Sequence, residues 1–94
     1  MSKEVTLSGQ LICGTEEEAS RVRAALRAHI EATRAEPGCI SFEVVETEDP
    51  LIFQVDERFT GPAAFRAHQA RAAESPWAKE TEGLTRAYLV KGMP

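Results

Sequence analysis

Cysteine, histidine and tryptophan are nearly absent from this 94-residue chain, with two, two and one residues respectively. Cys13 and Cys39 are too few for a disulfide framework, and neither belongs to a Cys-x-x-Cys pair, so free thiols are expected. His29 and His68 have no His-x-x-x-His spacing and no cysteine cluster beside them, so no metal site is expected. A basic surplus is missing as well: 11 Lys and Arg stand against 15 Asp and Glu, a net charge of −4. Such a surface has little with which to neutralise a phosphate backbone, and nucleic acid is not an expected partner. No apolar run approaches the roughly 20 residues that cross a bilayer. The segment Met1-Ser-Lys-Glu-Val lacks the basic-then-apolar order of a secretory leader, so no membrane association and a cytoplasmic location are expected.

What remains is a globular composition, 43% hydrophobic and 28% charged. The length predicts one domain, residues 1–94, near the small end of what encloses its own core, so association with a partner is expected to help.

Alternation dominates the first segment. Val5, Leu7, Gly9, Leu11 and Cys13 fall on one face, and Thr6, Ser8, Gln10 and Ile12 on the other, which predicts a half-buried strand. After Gly14, Thr15-Glu-Glu-Glu18 reads as a capping box that opens a helix. Ala19, Val22, Leu26, Ile30 and Thr33 then recur at helical spacing, and Pro37-Gly38 closes the helix. Ile40, Phe42 and Val44 share a face of a second strand, while Phe53, Val55, Glu57 and Phe59 share a face of a third. The Thr47-Glu-Asp-Pro50 turn joins these two into a hairpin.

Gly61-Pro62 opens a second helix carrying Ala64, Phe65, His68 and Ala72 on or beside one face, and Ser75-Pro76 interrupts it. A further helical turn over Trp77 to Thr81 and a last strand from Leu84 to Lys91 complete the order. The pattern is βαββαβ, an α+β ferredoxin-like sandwich with a four-stranded antiparallel sheet. Its second sheet face, with Ile12, Val45 and Ile52 among polar residues, is too apolar for water alone; sheet-to-sheet pairing as a homodimer would cover it.

Glu36-Pro-Gly-Cys-Ile-Ser-Phe-Glu43, Asp56-Glu-Arg-Phe59 entering a helix, Ala67-His68 and Ser75-Pro-Trp77 before the last strand together resemble the antibiotic biosynthesis monooxygenase superfamily. The resemblance spans nearly the whole chain and includes quinol monooxygenase-like members. It implies a dimeric α/β barrel with a ligand cavity between sheet and helices. It further implies oxidation of a quinol or related electron-rich aromatic without metal or flavin, so no cofactor is expected. Loss of a proton makes such a substrate reducing enough to give an electron to oxygen, and the protein need supply only a dry cavity, orientation and a base.

His68, with a pKa near neutrality and a place on the second helix, is the first candidate for that base. Glu57, an inward carboxylate needing a partner or a raised pKa, is the second catalytic candidate. Phe42, Phe53, Phe59, Phe65 and Trp77 are the candidate substrate-binding wall. His29, near the end of a charged helix, reads as structural or solvated, and Arg58 as an interface residue. Haem-degrading relatives use an asparagine, a tryptophan and a histidine. Leu7 and Phe59 align with the first two and no histidine follows Trp77, so haem degradation is not expected. A ligand-binding or stress-associated protein without chemistry, or an isomerase using the same proton carriers, would share these features.

Overall fold

In the computed structural model, which describes residues 3–94, burial alternates along β1 (Val5–Ile12) with Val5, Leu7 and Leu11 inside. A capping box opens α1 (Glu16–Arg34): the Glu18 amide donates to Thr15 Oγ1 at 3.2 Å, and the Thr15 amide to Glu18 Oε1 at 3.1 Å. β2 (Cys39–Glu46) and β3 (Ile52–Phe59) form the expected hairpin, followed by α2 (Pro62–Ala73), the short α3 (Pro76–Glu80) and β4 (Thr85–Lys91). The strand order is β2-β3-β1-β4, antiparallel throughout, with helices packed over one face; this is the α+β ferredoxin-like arrangement. The extra turn of α3 lies where the Trp77–Thr81 segment was expected to be helical.

The core joins Val5, Leu7, Leu11, Phe42, Val44, Phe53, Val55 and Phe59 from the sheet to Ala19 and Val22 of α1 and Phe65 of α2. One expectation needs correction. Ile40 is 42% exposed instead of packing beside Phe42, because β2 bulges between Cys39 and Ser41. The bulge sets one extra residue against the partner strand and gives Cys39 the place opposite Phe59. His29, read as structural or solvated, takes the structural alternative and is buried on the inner side of α1. It lies seven residues after Val22, in the same helical stripe, so its neighbours along the helix outweigh its neighbours in sequence.

Cys13 and Cys39 are free thiols near opposite ends of the sheet. The outer sheet face carries Ser8 bonded to Asp56 at 2.7 Å and Arg58 paired with Glu4 at 2.7 Å. Val45 and Leu89 lie on that same face, 49% and 61% exposed.

Two glycines set how closely these elements approach. A Cβ on Gly38 would collide with Ala64 of α2, so the turn leaving α1 lies tight against α2 and carries Glu36 with it. Gly9, at φ 155°, lets β4 close on β1: a Cβ there would strike the Ala87 carbonyl. Gly9→Ala is therefore expected to destabilise the fold by about 1–3 kcal/mol through overpacking of backbone on backbone. Urea unfolding followed by tryptophan fluorescence measures this, and an unchanged midpoint would show that β4 can retreat without cost.

Candidate functional site

A cavity of about 280 Å³ opens between the sheet and the helices, lined by Leu7, Glu57, Arg86 and Tyr88 from the strands and by His29, His68 and Trp77 from the helices. Alanines 72, 73 and 78 leave the space that larger side chains would fill. A void of ~150 Å³ holds a benzene ring, so this one takes a single ring with its substituents.

His68, 4% exposed, is fixed on both sides. Phe59 packs against its ring at a centroid distance of 4.9 Å and Phe42 at 5.7 Å. Its Nδ1 lies 2.8 Å from Glu36 Oε1, while Glu36 Oε2 accepts from Arg71 Nε at 3.0 Å and Arg71 donates to Thr33 Oγ1 at 2.9 Å. Burial pushes the Glu36 carboxyl upward, but hydrogen bonds from Arg71 and His68 outweigh it and hold the pKa below its ordinary value. Glu36 is thus an ionised acceptor, and His68 must place its proton on Nδ1. Burial, helped by Arg71, lowers the His68 pKa against the opposing pull of Glu36. The imidazole is neutral at neutral pH, and its Nε2 offers a lone pair.

Glu57 faces that nitrogen. Its Oε1 is 3.8 Å from His68 Nε2, outside hydrogen-bond reach, and it has no hydrogen-bond partner despite being buried. Burial, and secondarily the charge of Glu36, raise its pKa to about 7. Two proton carriers therefore face one another across a gap that a single ligand hydroxyl can bridge, one a neutral base and the other poised between acid and carboxylate.

The remaining walls are neutral or fixed. His29 stacks on Trp77 with centroids 4.4 Å apart and planes 2° from parallel, and burial lowers its pKa to about 3. Burial raises the Tyr88 phenol to about 12. Arg86 is held by Thr81, its Nη2 donating to Thr81 Oγ1 at 2.6 Å. Among the described residues no group of three His, Cys, Asp or Glu is placed to bind a metal ion.

Of the residues singled out in the sequence, His68, Glu57 and Trp77 meet at the cavity. Phe42, Phe53, Phe59 and Phe65 do not line it; they are buried in the core, where Phe42 and Phe59 back the His68 ring. Sequence reasoning missed Glu36, which entered only as the first residue of the Glu36–Glu43 run. It also missed Arg71, one helical turn after His68 on the same face, and Tyr88, on the inward row of β4. Spacing could have found the last two, whereas the Glu36 contact is made across 32 residues of chain.

The sequence profile of the antibiotic biosynthesis monooxygenase family matches residues 12–79, more than two thirds of the chain. Among solved structures, the Mycobacterium tuberculosis protein Rv0793 is similar, with a TM-score of 0.74 at 25% identity over 94% of this chain and 92% of that one. A Nitrosomonas europaea protein superposes with a TM-score of 0.78 at 20% identity, over 96% of this chain and 97% of its own. SnoaB, a cofactor-independent oxygenase from Streptomyces nogalater, has a TM-score of 0.72 at 17% identity, over 95% and 91% of the two chains. These identities establish likeness of fold. No curated protein matches the sequence.

The raised Glu57 pKa carries a signed consequence for stability. The carboxyl titrates near 4.5 in the unfolded chain and near 7 in the fold. Burial is therefore free of this cost below about pH 4.5, and stability falls as pH rises through 7, by on the order of 3 kcal/mol in all. Glu57→Gln should gain on the wild type between these limits and then level off; denaturant titrations from pH 4 to 8 test this, and a constant difference would refute it. His29 acts in the opposite sense. Its folded pKa of about 3 lies below the ordinary 6.5, so stability is lost as pH falls through that interval. His29→Phe should flatten the acid limb of the same curve.

Proposed function

The chain belongs to the antibiotic biosynthesis monooxygenase family, and from that premise we propose that it is a cofactor-independent monooxygenase acting on a small quinol or related hydroxyaromatic. The observation that carries this reading is the gap between His68 Nε2 and the unpartnered Glu57 Oε1. A substrate hydroxyl there donates to Nε2, and Glu57 contacts the same oxygen or its neighbour. Proton transfer to His68 gives an electron-rich phenolate, with the imidazolium stabilised by Glu36 on its far side. A base held by an orienting carboxylate is suited to proton abstraction, and the buried setting strengthens each interaction.

The phenolate passes one electron to dioxygen, and the resulting semiquinone and superoxide join in a carbon–oxygen bond at a ring carbon bearing hydrogen. The peroxide takes up a proton from His68 or Glu57. Loss of the proton on that carbon then breaks the oxygen–oxygen bond. One oxygen atom stays on the product, a hydroxyquinone; the other leaves as water, accounting for both hydrogens lost from the quinol.

A homodimer formed through the outer sheet face belongs to the same proposal. Val45 and Leu89 are the exposed apolar residues that such pairing would cover, and light scattering showing a stable monomer at micromolar concentration would argue against it. A proton-transfer isomerase is the second reading, favoured by the presence of two carriers on one gap. Solvent deuterium entering the substrate without oxygen uptake selects it.

Oxygen consumption across a panel of monocyclic quinols tests the leading reading. His68→Ala should lower kcat by roughly 100-fold or more, the usual range for a general base. Unchanged turnover in a folded His68→Ala protein would remove His68 from the mechanism.

A further inference from the structure

Trp77 and His29 line two cavities at once. One is the chamber of about 280 Å³ with Glu57 and His68, and the other is a groove of about 420 Å³ along α1. Alanines 24, 25, 28 and 32 line that groove, with Arg71 and Pro76 at its margin. The two rings form a flat, nearly parallel stack, and they are common to the linings of both cavities. A second observation singles out the same wall: His29 Nδ1 is buried without a hydrogen-bond partner, on a side chain that is 6% exposed. A buried ring nitrogen in that state costs stability unless a ligand group reaches it.

We propose that Trp77 is the residue that fixes the size of the substrate, by closing the catalytic chamber off from the alanine-lined groove. The inference rests on reading the His68–Glu57 cavity as a substrate site. With the indole in place, the chamber accepts one aromatic ring carrying its hydroxyls, anchored between His68 Nε2 and Glu57. The partition excludes a ligand with three fused rings. Shortening Trp77 joins chamber and groove into a single slot within the ~300–1,000 Å³ range of ordinary ligand sites. Its far half is lined largely by small apolar side chains, and His29, whose Nδ1 has no partner, lines both halves.

Calorimetric titration under argon with phenol, 2-naphthol and 2-anthrol reads this directly, since ring number changes while the anchoring hydroxyl does not. The wild type should bind phenol and bind 2-anthrol at least tenfold more weakly. Trp77→Ala should tighten 2-anthrol relative to phenol by tenfold or more, with 2-anthrol displaceable by phenol. Trp77→Phe, which keeps a ring in the wall and guards against a folding defect in the alanine variant, should retain the wild-type order.

Equal affinity for one and three rings in the wild type would overturn the proposal, as would the same ring-number profile in Trp77→Ala, or no phenol binding to either protein. The outcomes also separate this inference from the reading beneath it. Oxygen uptake with an unchanged ring profile refutes the filter and keeps the monooxygenase; a shifted profile without oxygen uptake does the reverse.

Discussion

A single carboxylate holds the site together. Glu36 leaves the end of α1 and meets His68 and Arg71 of α2 with both of its oxygens, 2.8 and 3.0 Å away. One contact orients the imidazole and fixes its tautomer; the other keeps Glu36 ionised in a partly buried position. Arg71 in turn reaches back to Thr33 on α1, so the two helices are cross-linked by charge-assisted hydrogen bonds at the level of the cavity. Without that clamp the His68 nitrogen facing the chamber has no reason to be a free acceptor. The close approach of Gly38 to Ala64 makes the clamp possible, because any side chain on Gly38 would hold the turn away from α2.

Against this satisfied pair stands an unsatisfied one. Glu57 is buried with an oxygen that bonds to nothing, and His29 with a nitrogen in the same condition. Both border the same chamber. A fold that satisfies the polar atoms of Glu36, Arg71, Thr33 and Thr81 yet leaves these two open concentrates its electrostatic cost at one place. A ligand with matching polar groups would relieve that cost, which ties the proposed chemistry to the stability of the protein. The phenylalanines serve that arrangement from behind: Phe42 and Phe59 hold the His68 ring while remaining in the core.

Much of the fold is legible in the chain, and the exceptions have identifiable causes. Alternation in β1 and β3 places Glu57 on the inner face, and helical spacing places His68 on the side of α2 that meets the sheet. The capping box gives the start of α1, and Pro37-Gly38 marks its end. Ile40 breaks the pattern because a bulge is a matter of pairing between strands, which a period along one strand does not contain. The burial of His29 is masked because the charges beside it in sequence occupy other faces of the helix. The four phenylalanines have the composition of a pocket wall, but which aromatics meet a void depends on where the covering helices stop.

Local periodicity, capping and turn chemistry, each confined to a few adjacent residues, set the order of the elements and the inner and outer faces of the strands. They also point to His68 and Glu57, the two residues proposed to carry the chemistry. Packing in three dimensions is what makes Glu36 clamp His68, leaves Glu57 facing it without a bond, and stacks Trp77 on His29 at the border of two cavities. Those contacts join residues far apart along the chain. Their geometry depends on how tightly helices pack and where the sheet is left bare, which no local pattern encodes.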